Sequence, residues 1–180
     1  MTTAVLLIDL QRDFLDSKDG RLPVTEEGAQ AVLHAANEIL AKRALPEAFL
    51  VLVLNQFPAS ARLANFFRKG AAIAGSQGAE PDPRLEHLGS ATVVVKSESS
   101  AFSNPKLQEL LSAREVRDLW VLGVFAEGCV RATVLEALRL GYSVRVSESA
   151  VSSSATWKKR IALWAMERAG AKIERGANVF

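Results

Sequence analysis

The chain has 180 residues, with 22 Lys plus Arg against 20 Asp plus Glu and a single cysteine. The net charge of +2 and the scattered basic residues argue against a nucleic-acid partner. No apolar run approaches the roughly 20 residues of a membrane-spanning helix, and the N-terminus lacks the basic-then-apolar pattern of a signal peptide. We therefore expect one cytoplasmic domain spanning 1–180, with no membrane or nucleic-acid partner.

Short apolar runs rich in Val, Leu and Ile alternate with longer segments of helical period. This alternation is typical of a parallel sheet with crossover helices, so the fold class is predicted as α/β. The strands are predicted at 5–9, 49–54, 92–96, 119–123, 143–146 and 171–174. Because most of these runs are apolar throughout, we expect central strands buried on both faces.

Two segments show clear helical periodicity. The first follows Thr25, a suitable N-cap, and places six apolar residues on one stripe. These are Ala29, Val32, Leu33, Ala36, Ile39 and Leu40. Near the C-terminus Trp157, Ile161 and Trp164 repeat at helical spacing, and we expect the two tryptophans in the core rather than as a platform for a ligand. Between these segments, residues 70–83 are rich in small and turn-forming residues, which predicts a surface loop of the kind that borders sites.

The single cysteine, Cys129, lies between an apolar strand and a helix predicted at 129–140. A thiol in the first turn of a helix is easier to ionise, because unpaired N–H groups and the helix dipole favour the thiolate. Cys129 is therefore a candidate nucleophile. A lone cysteine among apolar residues is alternatively a small buried hydrophobic side chain without chemistry.

Polar residues stand at the carboxyl ends of three predicted strands, where open parallel sheets bind their ligands. The first strand ends at Asp9, the third ends at Lys96, and the fourth leads to Cys129. A carboxylate, an ammonium and a thiol at one rim are a complete set for covalent catalysis. We expect Lys96 to favour the thiolate and Asp9 to accept and return the proton. Taken singly, each residue also has a purely structural interpretation as a turn cap, a strand end or a core side chain.

The order and spacing of these residues resemble the isochorismatase-like cysteine hydrolase family, which includes nicotinamidases and N-carbamoylsarcosine amidases. The resemblance covers nearly the whole chain. It rests on the run 6–14, on Lys96 with the segment 100–102, and on the segment 123–130 with Thr133. It implies a three-layer α/β/α fold with a six-stranded, mostly parallel sheet, no cofactor, and a homo-oligomer that is a dimer or tetramer. It also implies a catalytic triad of Asp9, Lys96 and Cys129.

The resemblance extends to the backbone before the cysteine. It implies a cis peptide bond between Val124 and Phe125, and an oxyanion hole formed by the N–H groups of Phe125 and Cys129. One departure concerns metal binding: nicotinamidases supply an aspartate and a histidine to a metal after the second strand, where this chain has Asn55-Gln56-Phe57-Pro58. We therefore expect no metal site.

The predicted function is metal-independent hydrolysis of a small amide, carbamoyl or ureide C–N bond through a thioester. The residues proposed to line the substrate pocket are Phe14, Asn55, Gln56, Phe57 and Phe102. Three alternatives stay open at this point: a vinyl-ether hydrolase of the isochorismatase type, a protein whose reactive thiol is oxidised or modified, and a binding protein without turnover. Because the chain has no second cysteine, a disulfide would have to form with another molecule.

Overall fold

The structure is a computed structural model that describes residues 2–176. Its strands are β1 (Thr2–Ile8), β2 (Phe49–Asn55), β3 (Thr92–Lys96), β4 (Val116–Val124), β5 (Ser143–Ser152) and β6 (Lys172–Glu174). Its α-helices are α1 (Arg12–Leu15), α2 (Glu26–Leu40), α3 (Arg62–Phe67), α4 (Pro105–Ser112), α5 (Arg131–Arg139) and α6 (Thr156–Arg168). Strands and helices alternate along most of the chain, as the sequence predicts.

The strands form one sheet in the order β3-β2-β1-β4-β5-β6, and every strand pair within the described range is parallel. Ile8 at the end of β1 pairs with Val53 on one side and Gly123 on the other. At the end of β2, Asn55 pairs with Lys96. The carboxyl ends of four neighbouring strands therefore meet at one edge, which confirms the predicted fold class.

Helices cover the sheet on both faces and make the three layers. In β1, Val5 and Leu7 pack into the apolar cluster that holds α2, whereas Leu6 and Ile8 pack into the cluster that holds α4, α5 and α6. All four side chains are fully buried. Alternate side chains of a strand point to opposite faces, so a strand covered on both sides must be apolar throughout.

The first long helix is confirmed, but the last one turns its other face to the sheet. Thr25 caps α2 by accepting a hydrogen bond from the Gly28 N–H. In α6, Trp157 and Trp164 are 63% and 59% exposed, against the prediction that these tryptophans lie in the core, and Ile161 beside them is 54% exposed. The buried side of α6 consists of Ala162, Leu163 and Met166. Both stripes have helical spacing, so periodicity alone could not identify the face that the sheet covers.

The helix after β4 begins later than predicted. Residues 126–130 form a wide helical turn, interrupted at Gly128 by φ −105° and ψ −108°, and α5 starts only at Arg131. The N–H groups of Gly128 and Val130 both donate to the Phe125 carbonyl. Cys129 therefore lies in a turn that precedes α5 and not in the first turn of α5.

None of the helices within residues 2–176 combines the length and the hydrophobicity that a bilayer crossing requires.

Gly123 is the backbone position that lets β4 approach the end of β1. Its φ is +122°, and a Cβ atom at this residue would overlap the Ile8 carbonyl oxygen. We expect Gly123→Ala to lower the free energy of unfolding by about 2 to 4 kcal/mol, because it adds a backbone clash to an unfavourable φ. Urea unfolding measures this loss.

Gly141→Ala is the matched control, because Gly141 also has a positive φ, +87°, but a Cβ atom at this residue would have no neighbouring atom within 4 Å. It should cost only about 1 kcal/mol. Equal losses of stability for the two variants would show that the positive φ, and not the overlap with Ile8, causes the cost of alanine at residue 123.

Candidate active site

Three buried polar residues meet at the carboxyl edge of the sheet. Asp9 directly follows β1 with a left-handed φ of +55°, and its N–H donates to the Val53 carbonyl at 2.9 Å. Asn55 and Lys96 are the last residues of β2 and β3. Their exposed fractions are 1% for Asp9, 1% for Asn55 and 3% for Lys96. Adjacent parallel strands therefore bring together polar side chains that are far apart in the sequence.

The Asp9 carboxylate is held through one of its two oxygens. Lys96 Nζ donates to Asp9 Oδ2 at 3.0 Å, and Asn55 Nδ2 donates to the same oxygen at 2.9 Å. Lys96 Nζ also donates to the Glu98 carbonyl at 3.1 Å. Asp9 Oδ1 is buried and has no nitrogen or oxygen donor within the described chain. The carboxylate thus keeps one oxygen available as a proton acceptor.

Asn55 links the carboxylate to the thiol. Its Nδ2 lies 2.9 Å from Asp9 Oδ2 and 3.4 Å from Cys129 Sγ. Gln11 fixes the Asn55 backbone, because Gln11 Nε2 donates to the Asn55 carbonyl at 2.8 Å and Gln11 Oε1 accepts from the Asn55 N–H at 2.8 Å. The Gln11 amide also donates to the Ala79 carbonyl at 2.7 Å. Sequence reasoning missed Gln11 as a positioning residue, although a glutamine two residues after Asp9 is the available signal.

The Cys129 thiol is harder to ionise than the sequence suggests. Burial, followed by the negative charge of Asp9, raises the pKa of Cys129 to about 12, and the Lys96 charge opposes this only in part. Burial likewise raises the pKa of Asp9, against the lowering effects of Lys96, Cys129 and Asn55. The expectation of an easily formed thiolate is therefore wrong for the resting protein, because burial disfavours charge. At neutral pH the thiol keeps its proton.

A cavity of about 640 Å³ opens above these groups. Its lining includes Asp9, Asn55 and Cys129, together with the aromatic walls Phe14, Phe57 and Phe125. The Phe14 and Phe125 rings meet edge to face with centroids 5.6 Å apart. The structure thus places Phe14, Asn55 and Phe57, three of the five predicted pocket residues, around the thiol.

The other two predicted pocket residues, Gln56 and Phe102, do not line this cavity. Gln56 lines a neighbouring depression with Pro58 and Asn104, because consecutive residues of an extended chain point in opposite directions. Phe102 is 8% exposed and stacks on Tyr142 with ring centroids 5.8 Å apart. Their positions next to a motif did not determine which way their side chains point.

Arg68 and Glu136 also line the cavity, and sequence reasoning missed both. The Arg68 guanidinium lies over the Phe57 ring, 3.8 Å from its centroid. Arg68 follows the short helix α3, whose six residues give no periodic pattern. Glu136 belongs to α5 and pairs with Arg139 at 3.2 Å. Its orientation toward the cavity depends on how α5 packs, which no local motif specifies.

The peptide bond between Val124 and Phe125 is cis, as the resemblance implies. The same stretch places Phe125 beside Cys129 in the cavity lining.

A family model described as the isochorismatase domain matches residues 3–177. The chain belongs to the isochorismatase family. An uncharacterized isochorismatase family protein of Bacillus subtilis, YddQ, is 30% identical over 154 residues, which cover 86% of this chain and 79% of that protein. The nicotinamidase of Escherichia coli is 35% identical over 86 residues, or 41% of this chain and 40% of that enzyme. This chain is therefore an isochorismatase-family hydrolase.

A solved structure extends the similarity to the whole fold of this isochorismatase-family chain. The pyrazinamidase of Pyrococcus horikoshii, in complex with zinc, superposes with a TM-score of 0.83 at 27% identity. The match covers 98% of this chain and 100% of that one. The relative's zinc raises the question of whether the present residues fit a metal.

The residues of this isochorismatase-family site do not fit zinc. Zinc in proteins is bound by imidazole, thiolate and carboxylate groups. Here the segment after β2 offers Asn55, whose amide already donates to Asp9 and Cys129, and Phe57, whose ring forms a cavity wall. Within residues 2–176, no group of three or more His, Cys, Asp or Glu is arranged to hold a metal ion.

Proposed function

We propose that this isochorismatase-family hydrolase is a metal-independent cysteine hydrolase that cleaves a small amide, carbamoyl or ureide C–N bond through a thioester. One observation carries the proposal. Asp9 is fixed through Oδ2, its buried Oδ1 lacks a nitrogen or oxygen donor in the described chain, and its carboxylate interacts with the Cys129 thiol. A base with a free acceptor oxygen therefore adjoins a protonated nucleophile at the base of a cavity.

The first half-reaction forms the thioester. Asp9 takes the Cys129 proton as Sγ attacks the substrate carbonyl carbon, so the thiolate need not exist before attack. The N–H groups of Phe125 and Cys129 hold the developing oxyanion, and each such donor is worth about 3 to 4 kcal/mol in the transition state. Asp9 then returns the proton to the nitrogen as the C–N bond breaks. The amine or ammonia leaves, and the acyl group stays on Cys129.

The second half-reaction releases the acid. Asp9 takes a proton from water, the hydroxyl oxygen attacks the thioester carbon, and the proton passes to the departing Cys129 sulfur. Lys96 lies beside Asp9 and favours its carboxylate form against the cost of burial. Asn55 fixes the positions of Asp9 and Cys129 relative to each other, because its amide nitrogen donates to both side chains.

The cavity limits the size and character of the substrate. Its volume of about 640 Å³ and its three phenylalanine walls suit a small molecule with an apolar part. Arg68 supplies a cation on the same wall as Phe57. The proposed partner is therefore a small-molecule substrate.

The test is a panel of small primary amides, N-carbamoyl amino acids and ureides, assayed for release of ammonia or amine. We expect at least one compound to be hydrolysed, and mass spectrometry after acid quenching to show an acyl adduct on Cys129. Cys129→Ala should abolish both signals. Extended treatment of the wild type with a metal chelator should leave the rate unchanged. Hydrolysis that persists in Cys129→Ala would contradict the proposed nucleophile, and loss of activity with the chelator would contradict metal independence.

Self-association stays a prediction from the family resemblance. The exposed apolar stripe on α6, formed by Trp157, Ile161 and Trp164, offers a surface for such a contact. Light scattering at micromolar concentration should return the mass of a dimer or tetramer. A monomer would contradict the prediction.

A further inference from the structure

A second cavity, here called the α6 cavity, lies where the start of α2, the end of β5 and the start of α6 meet. Its volume is about 440 Å³. Its lining includes Thr25, Gly28, Ser153, Thr156, Lys159 and Arg160, together with the acidic residues Glu27 and Glu148. It shares no lining residue with the cavity that contains Cys129. The chemistry proposed for Asp9, Lys96 and Cys129 therefore does not use it.

The N-terminus of α6 opens into this cavity without a side-chain cap. The helix has 13 residues, and its N-cap residue, Ala155, has no side chain that could accept a hydrogen bond from the first turn. By contrast, Thr25 caps the start of α2 through its hydroxyl group. The first N–H groups of an uncapped helix and its partial positive charge attract anions.

Ser153 provides a second and independent indication of a ligand. The residue is 2% exposed and lines the α6 cavity, yet its Oγ has no hydrogen-bond partner within residues 2–176. Its carbonyl accepts a hydrogen bond from the Thr25 N–H at 3.1 Å, so its backbone is fixed. Buried hydroxyl groups are nearly always paired, so the unpaired Ser153 Oγ beside this cavity points to a partner that the described chain does not supply.

Two cations complete the lining. Lys159 and Arg160 form none of the ion pairs found within the described chain, although the charges of Glu148 and Glu27 act on Lys159. Burial lowers the pKa of Lys159, against the raising effects of Glu148 and Glu27. Glu148 also faces Arg175, at 3.8 Å. An anion in the cavity would stabilise the charged form of Lys159.

We propose that the α6 cavity binds a phosphate group, either as the free ion or as a small monoester. The phosphate oxygens accept hydrogen bonds from the first-turn N–H groups of α6, from Ser153 Oγ and from Lys159 Nζ. A phosphate dianion matches this set because it presents several strong acceptors and a charge that both the helix end and the ammonium favour. The cavity is also larger than a phosphate ion requires.

Isothermal titration calorimetry with inorganic phosphate and with glycerol 3-phosphate tests the proposal, with sodium chloride at matched ionic strength as reference. Lys159→Met and Ser153→Ala should each weaken binding about tenfold or more, because each removes a direct hydrogen bond to a charged ligand. Glu148→Gln should tighten binding. Lys158→Met is the matched control: Lys158 is the neighbouring residue on α6, does not line the cavity and approaches Glu127 at 4.0 Å.

The outcomes separate the sources of the phosphate group. Tighter binding of inorganic phosphate than of glycerol 3-phosphate would support a site for the free ion, and the reverse order would support a monoester site. Absence of saturable binding by both probes would overturn the proposal. So would equal weakening by Lys158→Met and Lys159→Met, which would indicate unspecific attraction to the helix. Circular dichroism of each variant verifies that it is folded. Phosphate binding should be unchanged in Cys129→Ala, so the result does not depend on whether the proposed hydrolase activity is correct.

Discussion

Asp9→Asn is expected to abolish turnover while making the Cys129 thiol easier to ionise. Asparagine keeps the shape of the side chain but cannot accept the thiol proton, and loss of a general base typically costs about 10² to 10⁴ in rate. The Asp9 charge is one of the causes that raise the pKa of Cys129 to about 12. Removing that charge therefore lowers the thiol pKa, although burial continues to raise it. Reactivity toward an alkylating agent and catalytic activity should change in opposite directions.

The measurement is the rate of iodoacetamide alkylation of Cys129 against pH. The wild-type rate should still be rising at pH 9, because most of the thiol is protonated there, and the Asp9→Asn curve should lie at lower pH. Hydrolysis of a substrate found in the amide and ureide panel, assayed in parallel, should be lost in this variant.

The matched control is Asp82→Asn, which neutralises another carboxylate that is 1% exposed but pairs with Arg84 and does not line the Cys129 cavity. It should leave the alkylation curve unchanged. An Asp9→Asn protein with wild-type turnover, or with an unshifted alkylation curve, would contradict the role proposed for Asp9.

Lys96→Met is expected to destabilise the fold, because it removes a buried charge while keeping most of the side-chain volume. The Lys96 side chain is fully buried, and its Nζ lies 3.0 Å from Asp9 Oδ2. Methionine retains most of the volume but leaves the buried carboxylate without its counter-ion. Breaking a buried pair in this way costs about 3 to 5 kcal/mol at neutral pH. Urea unfolding should show this loss in the free energy of unfolding.

The loss should depend on pH with a definite sign. Lys96 opposes the burial that raises the pKa of Asp9, so its removal raises that pKa further. A carboxyl group whose pKa is raised on folding favours the folded state at low pH, and this contribution is lost as pH rises through the folded pKa. The deficit of Lys96→Met relative to the wild type should therefore be largest near pH 7 and shrink as pH falls toward 3.8, the unperturbed pKa of Asp9.

Two further variants test whether loss of the Asp9–Lys96 ion pair causes the destabilisation. The double variant Asp9→Asn/Lys96→Met has no buried charge and should regain much of the lost stability. Lys106→Met removes an exposed pair with Glu109, at 3.3 Å, and should change the stability by less than about 1 kcal/mol. A double variant as unstable as Lys96→Met alone would show that lost packing, and not the unpaired carboxylate, causes the effect.

The sequence by itself determined the sheet and the residues at its edge. Apolar runs of strand length, separated by helical segments, permit few arrangements other than a parallel sheet covered on both faces. Once the strands are parallel, their carboxyl ends share one edge. Asp9 and Lys96, which are 87 positions apart in the sequence, therefore meet at 3.0 Å. The position of Cys129 at this edge follows from the same topology.

Only the tertiary structure decided how these groups behave. The direction of the Cys129 pKa shift depends on how completely the thiol is buried and on how close Asp9 lies, and neither quantity is encoded by a local pattern. The role of Asn55 as a link between Asp9 and Cys129 likewise depends on pairing between strands. Phe102 in the core and the exposed tryptophans of α6 show the same limit. Periodicity and motifs specify which residues share a face or an edge, but packing of the whole chain selects what that face meets.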